Sequence, residues 1–146
     1  MTTDFDFTLE ETSKLADVRA VEDGLLFYNL QYVPDPQFQT LNIFMRDVEG
    51  RILGGLLGNT YWGWLYVSIL WLDEAVRGSG YGARILAMAE SEALRRGCHH
   101  AHVDTLDIQA PGFYEKQGYK RWGTLENFPV GHKHQFYQKE LSASTA

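Results

Sequence analysis

The sequence predicts an α/β fold of the α+β type, a single mixed sheet with helices on its faces. Three observations carry this. Apolar residues recur at three- and four-residue spacing in two long stretches, one through Leu15, Val18, Val21, Leu25 and Leu26 and one within 80–97. Between those stretches, 40–72 hold three strand-like runs and no helical pattern. Beyond the second helical stretch, short strand-like runs alternate with one short helical segment. The order is α, β-β-β, α, β, α, β-β, which requires parallel and antiparallel neighbours in one sheet.

Each element has a local reason. The first stretch predicts one or two amphipathic helices, with Gly24 a candidate interruption and the prolines of "PDPQ" at 34–37 ending the pattern. "TLNIFMRD" and "RILGGLLGNTYWG" flank the polar turn "DVEG" and read as a β-hairpin. "WLYVSILWL" at 64–72 has no polar face except Ser68, so it belongs in the interior of the sheet. "GYGARILAMAESEALRRG" is the best helix, with arginines in its last turn and Gly97 as its stop. "HHAHVDTL" reads as a strand, "QAPGFYEKQGY" as a short helix, and "YKRWGTLE" with "KHQFYQKEL" as a final antiparallel pair. Residues 141–146 read as a frayed tail, and 1–146 as one domain without repeat or linker.

Composition narrows the function classes. The 146 residues suffice for one core, and 45% hydrophobic against 22% charged residues is a globular balance. A net charge of −6 argues against a partner held by phosphate neutralisation, hence no nucleic acid, and suits a cationic one. One cysteine, Cys98, cannot pair within the chain. With no membrane-length apolar run and an acidic start "MTTDFDF", the expectation is a cytoplasmic protein with no membrane partner.

The most informative stretch is "EAVRGSGYGARIL" at 74–86. Gly78, Gly80 and Gly82 alternate with Ser79 and Tyr81 behind Arg77, between a strand and a helix. Bare backbone at the positive end of a helix dipole is an anion site suited to phosphate. The bland alternative is a tight turn with close strand–helix packing. A P-loop would need Lys-Ser/Thr after Gly82, where Ala83-Arg84 stand. A dinucleotide-binding fold finds an acid at about the right offset in Asp104, but its glycine motif should follow the first strand, and a second βαβ half is missing.

These residues resemble the coenzyme-binding motif of the GNAT superfamily of acetyl-CoA-dependent N-acetyltransferases, Arg/Gln-x-x-Gly-x-Gly/Ala, matched by Arg77, Gly80 and Gly82. Leu70 and Leu72 match the alternating apolar positions ahead of it. A second family signature, Ala-x-x-Phe/Leu-Tyr-Glu-x-x-Gly-Phe/Tyr, is matched by Ala110, Phe113, Tyr114, Glu115, Gly118 and Tyr119. The resemblance covers roughly 40–141 and implies a sheet of six to seven strands, splayed between the strands at 64–72 and 100–106. It further implies that the backbone of Leu70, Trp71 and Leu72 binds the pantetheine arm and that Gly78–Gly82 hold the pyrophosphate. Gln109, Ala110, Phe113 and Lys116 would add contacts. Acetyl-CoA would be the acyl donor, with no metal, and a homodimer is a further expectation.

In such enzymes the amine attacks the thioester directly, so a proton must leave nitrogen and one must reach sulfur. Tyr114 matches the tyrosine that serves as general acid; otherwise it is a buried ring with a bonded hydroxyl. The base is not singled out. The central strand offers no carboxylate, and Asp104, Asp107, Glu126, His132 and His134 are candidates beside a water chain. Many relatives carry asparagine where Asp107 stands, and Gln109 is the alternative pantetheine contact. His99, His100 and His102 lack the convergence a metal needs and read as a solvated strand start. Cys98 follows the helix stop, away from anything that would activate a thiol. The rings of Tyr28, Tyr32, Tyr61, Trp62, Trp64, Tyr66 and Trp71 are core or acceptor pocket, and aromatic walls favour a small amine. The leading expectation is therefore acetyl transfer to a small-molecule amine. A protein lysine or N-terminal acetyltransferase and a non-catalytic acyl-CoA sensor are the alternatives.

Overall fold

The computed structural model describes residues 4–142. They fall into two compact units, one ending at Asp35 and one beginning at Pro36. The first contains a single helix, α1 (Leu15–Asn29), which runs through Gly24 without a break. One glycine within a helix costs about 1 kcal/mol relative to alanine, which the rest of the periodic stretch outweighs.

The second unit holds a six-stranded sheet in the order β1-β2-β3-β4-β6-β5. Its strands are β1 (Gln39–Arg46), β2 (Ile52–Tyr61), β3 (Trp64–Leu72), β4 (His100–Leu106), β5 (Lys120–Glu126) and β6 (Lys133–Glu140). Two helices accompany them, α2 (Tyr81–Arg95) and the single turn α3 (Phe113–Lys116). All neighbours are antiparallel except β3 and β4, the parallel pair joined through α2. The Asp47 carboxylate closes the β1–β2 turn by accepting from the N–H groups of Glu49 and Arg51, both at 2.9 Å. This is the side-chain mimicry of a backbone turn that aspartate favours.

α2 presents Ile85, Leu86, Ala89 and Ala93 to the sheet, the spacing of one helical face. They meet Leu56, Leu65, Val67, Ala101, Val103 and Tyr137 in one core. The helix stops where expected. The N–H groups of Gly97 and Cys98 donate to the carbonyls of Leu94 and Ala93 at 3.0 and 2.9 Å, with Gly97 at φ +87°. The chain stays tied in through Leu141, which is buried and whose N–H donates to the His99 carbonyl at 2.8 Å. Leu141, which the sequence reading put in a frayed tail, is therefore held, because a buried, bonded residue does not fray. Residues 143–146 lie outside the described residues.

The parallel pairing of β3 with β4 runs from Trp64–His100 to Val67–Val103 and ends there, although both strands continue. On the other edge of β3, Gly58 pairs with Val67 and Leu57 with Ile69, so Ser68 is an extra residue in the ladder. A bulge bends its strand and increases the local twist. The bulge at Ser68 thus coincides with the point where β3 leaves β4, and it turns the sheet into a V.

Candidate active site

The V encloses a cavity of about 630 Å³. One wall is Ser68 to Leu72 of β3, and the other is Asp104 and Thr105 of β4 with Gln109 and Ala110 beyond it. Arg77, Gly82, Phe113 and Tyr114 complete it. The two sequence motifs, about thirty residues apart, therefore meet around one space.

At its mouth the chain turns from β3 into α2. Asp73 accepts from the Ala75 N–H at 2.9 Å, and Arg77 Nε donates to the Leu72 carbonyl at 2.9 Å, which together pin the turn. Gly80 is the N-cap of α2, with φ +85° and ψ 6°. In this left-handed region a Cβ costs about 1–2 kcal/mol. The first intrahelical bond is Arg84 N–H to the Gly80 carbonyl at 3.1 Å, which leaves the N–H groups of Tyr81, Gly82 and Ala83 without a helical partner. A Cβ built on Gly78 or Gly80 would meet nothing within 4 Å, so the loop leading into this helix end is not covered by other parts of the protein at those two positions. Such a helix end fits a pyrophosphate, and the largely apolar cavity behind it fits a flexible amide-bearing arm.

Tyr114 is 6% exposed, its ring set among Phe113, Tyr119 and Tyr137. Its hydroxyl has no protein partner among the described residues, so it does not cap a backbone carbonyl. Burial first, and the charge of Asp104 second, push it up to about 12. It approaches from the sheet face that packs on α2, in contact with Tyr137, which pairs with Val103. Asp104 is the next residue on β4 and projects from the opposite face. Groups from both faces share one cavity because the strands have parted.

Asp104 is itself held from two sides. Tyr66 of β3 donates its hydroxyl to Oδ1 at 2.5 Å, and His134 Nε2 of β6 lies 2.7 Å from Oδ2. The Tyr66 phenol is pushed up to about 12, by burial and then by its bond to Asp104. Among the described residues His134 Nδ1 is buried with no partner, and the ring lies 4.5 Å from that of Phe128 and 4.6 Å from that of Phe136, centre to centre. An orphaned lone pair costs less there than an orphaned N–H. The Nε2–H tautomer, donating to Asp104, therefore fits best.

Several sequence expectations change. Lys116 is exposed and lies outside the cavity lining, because the one-turn α3 ends there with its cation towards solvent. Asp107 is also outside it and pairs with His132 Nδ1 at 3.2 Å. Gln109 lines the cavity, but its carbonyl oxygen accepts from Leu106 N–H at 2.9 Å and Thr105 Oγ1 at 3.0 Å. Its amide nitrogen alone remains for a ligand. His100 and His102 are half-buried rather than solvated, stacked on Trp64 at 4.6 Å and Tyr66 at 4.7 Å. Burial lowers the His102 pKa. His99 faces out, and the described residues contain no metal-spaced group of His, Cys, Asp and Glu. Burial raises the Cys98 thiol, which suits packing and not nucleophilic attack. Of the seven early rings, Trp71 lines the cavity and Tyr66 reaches its carboxylate; Tyr28 and Tyr32 contact each other at 5.3 Å. Asp104 and His134 are base candidates in the sequence, but their joining with Tyr66 has no linear sign beyond the alternation of His100, His102 and Asp104 on β4.

A sheet opened beside a helix end ready for phosphate is the architecture of a coenzyme A-dependent acyltransferase. The chain belongs to the acetyltransferase (GNAT) family, whose model matches residues 9–119. The family uses acetyl-CoA as acyl donor. An acetyltransferase of Agrobacterium fabrum is 37% identical over 135 residues, 92% of this chain and 98% of that one. A blasticidin-S acetyltransferase of Streptomyces morookaense is 42% identical over 94 residues, 64% of this chain and 69% of that one. The crystal structure of an acetyltransferase from Bacillus cereus matches with a TM-score of 0.83 at 31% identity, covering 92% of this chain and 98% of that one. Among the described residues no helix is long and apolar enough to cross a membrane.

Proposed function

We propose that the protein transfers the acetyl group of acetyl-CoA directly to the amine of a small cationic molecule, with both substrates bound together. The observation that carries this reading is the placement of Tyr114 and Asp104 on opposite sheet faces around one cavity. The α2 side offers the free N–H groups of Tyr81, Gly82 and Ala83 to the pyrophosphate. Leu70, Trp71 and Leu72 offer backbone and apolar surface to the pantetheine arm, with Gln109, Ala110 and Phe113 opposite. The other side offers a carboxylate flanked by Tyr66 and Phe136, a setting that attracts a cation and stacks against a flat group. With the two substrates entering from different faces, no acyl group has to rest on the protein. Tyr114 gives its proton to the departing sulfur, which its unbonded hydroxyl is free to do.

The blasticidin-S acetyltransferase among the relatives supports a small-molecule acceptor, as does the net charge of −6. The test is a panel of small amines against intact proteins, each with acetyl-CoA and a thiol-detecting reagent. Thiol release with amines is expected. Release with proteins alone would make this a protein acetyltransferase, and acetyl-CoA binding without any release would make it a sensor.

A further inference from the structure

We infer that Asp104 is the group that takes the proton from the acceptor nitrogen and then returns it to Tyr114, so that one carboxylate links the two proton transfers. This deepens the acetyl-transfer reading and rests on it. Asp104 lies one residue past the last β3–β4 pair, Val67–Val103, where the cavity reaches through to the second sheet face. Among the described residues it is the only carboxylate in the cavity lining, and Tyr114 lines the same cavity.

Tyr66 from β3 and His134 from β6 touch it, while Tyr114 across the cavity and His102 along its own strand lie within reach of its charge. Two of them fix its orientation. The Tyr66 hydroxyl and His134 Nε2–H each hold one carboxylate oxygen, leaving the remaining lone pairs for substrate. The His134 ring packs on Phe128 and Phe136, and its buried Nδ1 has no partner among the described residues, so only Nε2 meets the site. It is a positioning residue.

The proton account closes. The acceptor attacks as a free amine, its ammonium proton having passed to solvent before the attack. As nitrogen bonds to the carbonyl carbon, an N–H proton passes to the Asp104 carboxylate. The C–S bond breaks, its electron pair stays on sulfur, and Tyr114 O–H protonates the thiolate. The proton on Asp104 then passes to the Tyr114 phenolate through water in the cavity that both line, and both groups are reset. The net change is one proton from nitrogen to sulfur. The order has a physical cause: the charge of Asp104 is one of the two things that hold the Tyr114 proton tightly. Neutralising Asp104 as nitrogen attacks makes Tyr114 a better acid when the thiolate needs it.

The experiment uses the full chain as wild type and as Asp104→Asn, with folding checked by circular dichroism. One arm measures turnover of whichever panel amine the wild type acetylates. The second follows Tyr114 by NMR with tyrosine labelled at the ring carbon bearing oxygen, assigned by Tyr114→Phe and compared over the pH range in which circular dichroism shows both proteins folded. Expected are a fall in kcat of about 10²–10⁴ with little change in KM for acetyl-CoA, and ionisation of Tyr114 at lower pH in the variant. His134→Phe should lower kcat. His134→Gln, whose amide nitrogen can reach the place of Nε2, should restore part of it. Turnover of Asp104→Asn within a few-fold of wild type, or an unmoved Tyr114 titration, overturns the inference and leaves acetyl transfer standing. A wild type that acetylates nothing overturns the functional reading instead, and the Tyr114 titration still decides whether the two groups are coupled.

Discussion

Gly82, in the first turn of α2, lies beside Phe113, at the start of α3: a Cβ on Gly82 would lie 3.4 Å from Phe113 Cε1 and 3.6 Å from Leu72 Cδ1. The two motifs meet here, since Gly82 and Phe113 both line the cavity. A single methyl fits at ordinary contact distance. Gly82→Ala should therefore keep acetyl-CoA affinity and stabilise the helix by about 0.5–1 kcal/mol. Gly82→Val adds branches that must displace Phe113, at about 1–3 kcal/mol. Melting curves and calorimetry should separate the two variants, the alanine neutral or better and the valine worse in both stability and binding.

Gly80 tests the helix end. Its φ of +85° strains any L-residue with a side chain, while a methyl there would meet no protein atom and would project into the space in front of α2. Gly80→Ala should lose about 1–2 kcal/mol of stability and bind acetyl-CoA at least about tenfold more weakly, equivalent to about 1.4 kcal/mol. Calorimetric affinity equal to that of the wild type would remove pyrophosphate from this loop.

The strands, the hairpin, α2 and both coenzyme motifs were legible because each depends on local pattern: period-two apolar runs, a polar turn, a helical stripe, glycines in fixed spacing. What could not be read depends on pairing between distant segments. That β4 lies between β3 and β6 places Asp104 against both Tyr66 and His134, and no local pattern around residue 104 or 134 announces the register. The bulge at Ser68 has the same character. A serine in an apolar strand reads as one polar residue on a face, whereas here it is the extra residue that opens the sheet. The stacking of His100 and His102 on Trp64 and Tyr66 also follows from the parallel β3–β4 register, so residues that read as solvated lie under aromatic rings.

Tyr114→Phe removes a hydroxyl with no protein partner and leaves the ring packed against Tyr119 and Tyr137. Melting temperature should hardly change. Turnover should fall by about 10²–10⁴-fold, the usual worth of general-acid help, while KM for acetyl-CoA stays close to its wild-type value. Near-normal turnover would make Tyr114 a packing residue, with water protonating the thiolate.

The dependence on pH follows from the same groups. An alkylammonium acceptor has a pKa of about 10. The free-amine fraction, and with it the rate at subsaturating acceptor, should rise close to tenfold per unit from pH 6 to 9. Tyr114 must be protonated to act as an acid, and burial together with the charge of Asp104 holds it up to about 12, so it imposes no falling limb in that range. The upper limit is set by stability. A tyrosine whose folded pKa is raised stabilises the fold fully below its unfolded pKa of about 10, and that contribution is lost as pH climbs through the folded value. Tyr66 and Tyr114, both pushed up to about 12, should therefore make the protein lose stability progressively from pH 10 upward. Rates against an amine acceptor across pH 6–9, with denaturant melts from pH 8 to 11, measure both effects. A falling limb below pH 9 that disappears in Tyr114→Phe would show that Tyr114 ionises far more readily than its burial allows.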